Sequence, residues 1–62
     1  MNNYVLKYDV TFDWKTLEFQ AEDDLDAKLT FHTMRERADF PSMARHFYLY
    51  GPTGLLGYWH GS

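Results

Sequence analysis

The chain has 62 residues, 45% of them hydrophobic and 24% charged, with a formal net charge of −3. This length predicts one domain over residues 1–62 and is too short for a catalytic domain with its own cleft, so we expect no enzyme. The chain has no cysteine and therefore no disulfide, and no apolar run is long enough to span a membrane. Its first residues lack the basic and apolar pattern of a secretory signal, so we expect a cytoplasmic protein.

Two runs of alternating residues predict a β-hairpin. In residues 4–12, aromatic and apolar side chains occupy every second position from Tyr4 to Phe12, and this period of two is typical of a half-buried strand. Residues 13–16 break the alternation, and a second alternating run covers residues 17–21. Two short strands joined by about four residues indicate a hairpin, with Tyr4 and Phe12 on its core face.

The next segment has the charge pattern of a helix over about residues 23–38. Asp23 is a suitable N-cap, acidic residues follow in the first turn, and basic residues come later, which suits the helix dipole. No glycine or proline interrupts the segment before Pro41. The apolar stripe predicted to face the core contains Ala27, Phe31, Met34 and Ala38. A second stripe on the opposite side contains Leu25, Leu29 and His32.

Residues 45–50 and 55–60 predict a second hairpin, closed by a turn at residues 51–54 that has proline in its second position. The predicted order is β-β-α-β-β, an α+β domain in which the helix packs on one face of an antiparallel sheet. Pairing of Tyr50 with Leu55 would set a symmetric register. That register places Phe47, Leu49, Leu56 and Tyr58 on one face. It places His46, Tyr48, Tyr50, Leu55 and Trp59 on the other.

Both faces of this second hairpin are rich in apolar and aromatic residues, whereas one helix can cover only one face of a small sheet. Contiguous exposed apolar surface often marks an interaction site, and tyrosine and tryptophan are enriched at binding hot spots. We therefore predict a surface that binds another protein, or a second copy of the chain in a homodimer. This surface consists of Tyr48, Tyr50, Leu55 and Trp59. Alternatively, the aromatic second hairpin curls over the domain and its side chains fill the core.

Four acidic residues lie in residues 22–26, and two interpretations of them stay open. They cap the helix and complement its dipole, or Asp24 and Asp26 form an acidic patch that docks in a basic groove of another protein. We expect no metal site, because the run lacks the spacing and central glycine of a calcium loop and the histidines lack zinc-ligand spacing. We expect no cofactor, because no glycine-rich loop opens a helix.

A third interpretation of the aromatic residues is nucleic-acid binding, in which Tyr48, Tyr50 and Trp59 stack on bases. Such a surface also needs basic surroundings, and Arg45 alone lies close in sequence. The negative net charge disfavours this interpretation further, so we expect a protein partner.

The organisation of the chain resembles that of very small acidic phage proteins, one of which inhibits host RNA polymerase. The resemblance rests on strands at residues 4–12 and 17–21, a helix that begins Ala-Glu-Asp-Asp-Leu-Asp-Ala, and further strand after it. It covers about residues 4–50. It implies a stoichiometric inhibitor or adaptor that acts by binding, and it assigns no functional residue.

Overall fold

The computed structural model describes residues 1–37 and 39–60, which form four strands and one helix. In chain order these are β1 (Asn2–Val10), β2 (Asp13–Ala21), α1 (Asp24–Glu36), β3 (His46–Gly51) and β4 (Gly54–His60). The strands form one antiparallel sheet in the order β2-β1-β3-β4. The predicted α+β class and β-β-α-β-β order are therefore confirmed. No helix in the described ranges is both long and apolar enough to cross a membrane.

At the start of helix α1, two carboxylates accept hydrogen bonds from backbone N–H groups. The carboxylate of Asp23 accepts a hydrogen bond from the backbone N–H of Asp26 at 2.8 Å. The carboxylate of Asp26 in turn accepts one from the backbone N–H of Glu22 at 3.0 Å. Backbone N–H groups at a helix start have no partner within the helix, so these bonds stabilise it. Asp23 is thus the N-cap that the sequence predicted.

The predicted core stripe of α1 is confirmed where the structure describes it. Ala27 and Phe31 are fully buried, and Met34 is half-buried. Ala38, the last residue of that stripe, lies outside the described residues. On the opposite stripe, Leu25, Leu29 and His32 are exposed.

The hydrophobic core lies between α1 and one face of the sheet. Its buried members are Tyr4, Leu6, Ala21, Ala27, Phe31, Phe47 and Leu49. Phe31 lies at the centre, because its ring centroid is 5.4 Å from that of Phe47 and 4.9 Å from that of Trp59. The opposite side of the sheet, which no described residue of α1 covers, is called the open face below.

The first hairpin has a tighter turn than predicted. Strands β1 and β2 pair along their whole length, so the loop consists of Thr11 and Phe12. Thr11 has a φ of 47°, the sign that two-residue hairpin turns require at their first position. The expected core position of Phe12 is wrong, because the residue lies in the loop and is fully exposed. Residues 13–16 form the start of β2 instead of a loop, which brings Trp14 into the sheet.

The second hairpin has the predicted turn, but β4 contains a bulge. Tyr50 pairs with Leu55 as predicted, whereas Leu49 pairs with Gly57, so Leu56 is an extra residue on β4. Side chains alternate between faces along a strand. One extra residue therefore moves all the residues after it to the opposite face from the one that a symmetric register predicts.

The prediction that Trp59 lies on the open face is therefore wrong. Trp59 pairs with Phe47 and packs against α1. Tyr58 was expected on the core face, but it pairs with Tyr48 on the open face. Gly57 provides the space for this arrangement, because a Cβ atom there would lie 2.7 Å from the Trp59 ring.

Candidate functional site

Aromatic side chains from three strands contact one another on the open face. The ring centroids of Trp14 and Tyr48 are 5.7 Å apart, and those of Tyr48 and Tyr58 are 4.8 Å apart. The His46 ring stacks on Tyr58 at 6.0 Å. These four residues are called the aromatic belt below. The belt extends from Trp14 on β2, across β1, to Tyr48 and His46 on β3 and Tyr58 on β4. Trp14 is 55% exposed and Tyr58 is 46% exposed, so a partner can reach both ends of the belt.

The open face contains only part of the predicted binding surface. Tyr48, Tyr50 and Leu55 lie on it, and Leu55 is exposed. Trp14 and Tyr58 also lie on the open face, and neither was predicted there. The alternation in residues 17–21, continued back to the start of β2, would have placed Trp14 on this face. For Tyr58 the one available signal was Gly57, since a glycine inside a strand often marks a bulge.

A groove opens on the open face beside the aromatic belt. It has a volume of about 390 Å³. Its lining residues are Lys7, Trp14, Thr16, Tyr48 and Tyr50. The Lys7 ammonium lies 5.4 Å from the centroid of the Tyr50 ring, a cation–π distance that holds the lysine at the groove.

Asp9 connects β1 to the start of β3 beside His46. Its Oδ1 atom accepts hydrogen bonds from the backbone N–H groups of His46 and Arg45, each at 2.8 Å. These two bonds lower the pKa of Asp9 below its ordinary value, and the bond from His46 has the larger effect. The carboxylate therefore stays ionised over most of the pH range and fixes the start of β3.

His46 orients Tyr58 within the belt. Its Nδ1 atom lies 2.7 Å from the Tyr58 hydroxyl, within hydrogen-bond distance. Its Nε2 atom lies 3.9 Å from Oδ2 of Asp9, which is too long for a hydrogen bond. The three groups therefore do not form a continuous proton relay, and the His46–Tyr58 bond serves to hold the Tyr58 ring in place.

We expect Asp9→Asn to lower the melting temperature at pH 7. Because the pKa of Asp9 is lowered in the folded state, its ionised form stabilises the fold above the unfolded-state pKa. That stabilisation is lost as the pH falls through the lowered pKa. Thermal melts followed by circular dichroism should therefore differ between parent and variant at pH 7 and converge in acid. Asp13→Asn is the matched control, since no hydrogen bond to its side chain is found in the described ranges. Equal effects of the two variants at pH 7 would contradict this role of Asp9.

The two acidic residues of the predicted surface lie on the other side of the sheet. Asp24 accepts a hydrogen bond from the hydroxyl of the core residue Tyr4 at 3.0 Å. Burial and this bond raise the pKa of Tyr4. Asp26 takes part in the helix cap described above. The acids and the aromatic residues therefore do not share one surface, and a docking role for Asp24 and Asp26 stays a separate prediction.

Within residues 1–37 and 39–60, no group of three histidine, aspartate or glutamate side chains is placed to hold a metal ion. Comparisons of the chain with protein-family models, curated proteins and solved structures gave no match.

Proposed function

We propose that the chain is a non-enzymatic protein-binding module that binds its partner through the open face. The observation that supports this proposal is the aromatic belt, in which partly exposed rings contact one another outside the core. Tyrosine and tryptophan dominate binding hot spots. Each ring is already held by its neighbours, so binding orders few side chains and loses little conformational entropy.

The size and charge of the open face favour a protein partner. The molecule measures 31 × 21 × 16 Å. The area of its broad side is on the order of ~800 Å², the area that each partner buries in a standard interface. On the strands of this face, Lys7 is outnumbered by Asp9 and Glu18. Such a face lacks the excess of positive charge that binding to nucleic-acid phosphates requires. We propose that the module acts in the cytoplasm as a stoichiometric inhibitor or adaptor.

Capture of the partner from an extract of the source cell tests this proposal. Trp14→Ala and Tyr48→Ala should each weaken capture by about 30-fold, the effect of losing a hot-spot side chain. Leu29→Ala is the matched control, because Leu29 is 57% exposed on the helix side and should not alter capture. Unchanged capture by both belt variants would contradict the proposal.

Light scattering over a concentration series identifies the kind of partner. A heterologous binder keeps its monomer mass at all concentrations. If the mass doubles in the parent but not in the Tyr48→Ala variant, the open face is the interface of a homodimer instead.

A further inference from the structure

The groove on the open face is lined by side chains that can donate hydrogen bonds. Lys7 and Trp14 donate only, and the hydroxyls of Thr16, Tyr48 and Tyr50 donate or accept. Of the carboxylates that the structure describes, none lines the groove. Among the described residues, none of these five polar groups has a hydrogen-bond partner within the chain. The groove therefore complements a ligand that offers acceptors.

The walls of the groove are aromatic. The Trp14 and Tyr48 rings are inclined to each other by 52°, and the Tyr50 ring lies beside them under the Lys7 ammonium. Such walls suit a ligand with compact apolar rings that pack against aromatic faces. A ligand that combines apolar rings with free hydrogen-bond acceptors therefore matches the groove.

We propose that this groove binds a proline-rich segment of the partner in the polyproline II conformation. Proline has no backbone N–H and so contributes acceptors without donors. A polyproline II helix has no internal hydrogen bonds, which leaves its carbonyl groups free for the donors of the groove. Its conformation exists before binding, and other domains bind such segments in aromatic-lined grooves. This inference rests on the proposed function and specifies its partner.

Other occupants match the groove less well. A partner β-strand carries one N–H donor for each carbonyl acceptor, whereas Lys7 and Trp14 in the groove can only donate. Among the described residues that line the groove, a nucleic acid would find one cation, Lys7, for its phosphates. A second copy of this chain contains two prolines, Pro41 and Pro52, which are not adjacent, so it supplies no proline-rich segment.

Titration of the isotope-labelled protein with a capped ten-residue polyproline peptide, followed by amide NMR, tests the proposal. The indole N–H signal of Trp14 should shift, while that of Trp59 on the helix side should not. Trp14→Ala should weaken peptide binding by about 30-fold. Tyr50→Phe keeps the ring and removes one donor, so it should weaken binding by about 2- to 10-fold. Leu29→Ala should bind the peptide as the parent does.

A capped glycine-serine peptide of equal length and a ten-nucleotide oligothymidine serve as competing ligands. The proposal is overturned if the polyproline peptide causes no shift at millimolar concentration, if the glycine-serine peptide binds equally well, or if oligothymidine alone shifts the Trp14 signal. If Trp14→Ala abolishes partner capture while the polyproline peptide neither binds nor competes, this inference falls and the proposed function stands. If capture also survives in the belt variants, both fall.

Discussion

Phe31→Ala should lower the free energy of unfolding by about 3–5 kcal/mol, the cost of removing a buried phenylalanine. Phe31 is fully buried, and its ring centroid lies within 6.0 Å of those of Phe40, Phe47 and Trp59. No other described side chain of α1 brings an aromatic ring into the buried core. Domains of this size have a total stability of about 5 kcal/mol or less, so we expect the variant to be largely unfolded at 25 °C.

Urea and thermal denaturation followed by circular dichroism measure this effect. Leu29→Ala removes an aliphatic side chain from the exposed side of the same helix, and we expect it to change stability by no more than about 0.5 kcal/mol. A Phe31→Ala variant that melts within a few degrees of the parent would show that the helix packs on a different stripe.

The helix and the existence of both hairpins could be predicted because their signals are local. Asp23 caps the helix through residues a few positions away, and the spacing of Ala27 and Phe31 is the helical period. The strand order depends on contacts between distant residues instead. Leu6 of β1 pairs with Leu49 of β3, and no local pattern specifies that pairing.

Trp14 was missed because the first turn lacks its usual residues. Two-residue hairpin loops favour glycine, asparagine or aspartate at positive φ. Here a β-branched residue, Thr11, has a φ of 47°, an uncommon conformation for its type. Pairing of β1 with β2 along their whole length outweighs that local cost. The sequence around Thr11 therefore did not indicate a turn.

The open face was predictable as far as the bulge in β4. Tyr48, Tyr50 and Leu55 precede it along the paired strands. A symmetric register would have buried Tyr58 and exposed Trp59. The extra residue at Leu56 instead turns the Trp59 indole towards α1, where it is half-buried, and places the Tyr58 hydroxyl next to His46. A symmetric register would turn the Tyr58 hydroxyl towards the core, and burial of an unpaired hydroxyl is costly. The turn residues do not encode this difference between the two registers.

The bulge leads to opposite expectations for two neighbouring residues of β4. Trp59→Ala should lower the free energy of unfolding by about 3 kcal/mol, the low end of the range for a core aromatic, because its ring is half-buried against Phe31. Tyr58→Ala removes contacts with Tyr48 and His46 on an exposed surface. It should therefore cost about 1 kcal/mol or less.

The same two variants should have the reverse order of effects on binding. Tyr58→Ala truncates the aromatic belt and should weaken capture of the partner by about 30-fold while the protein stays folded. Trp59→Ala should affect capture only through the fraction of protein that unfolds, so capture scaled to the folded fraction should match the parent. Urea denaturation of both variants gives that fraction, and capture measured in parallel gives the binding effect. A stable Trp59→Ala that loses capture, beside a Tyr58→Ala that unfolds, would mean that β4 pairs symmetrically and that Trp59, rather than Tyr58, belongs to the binding surface.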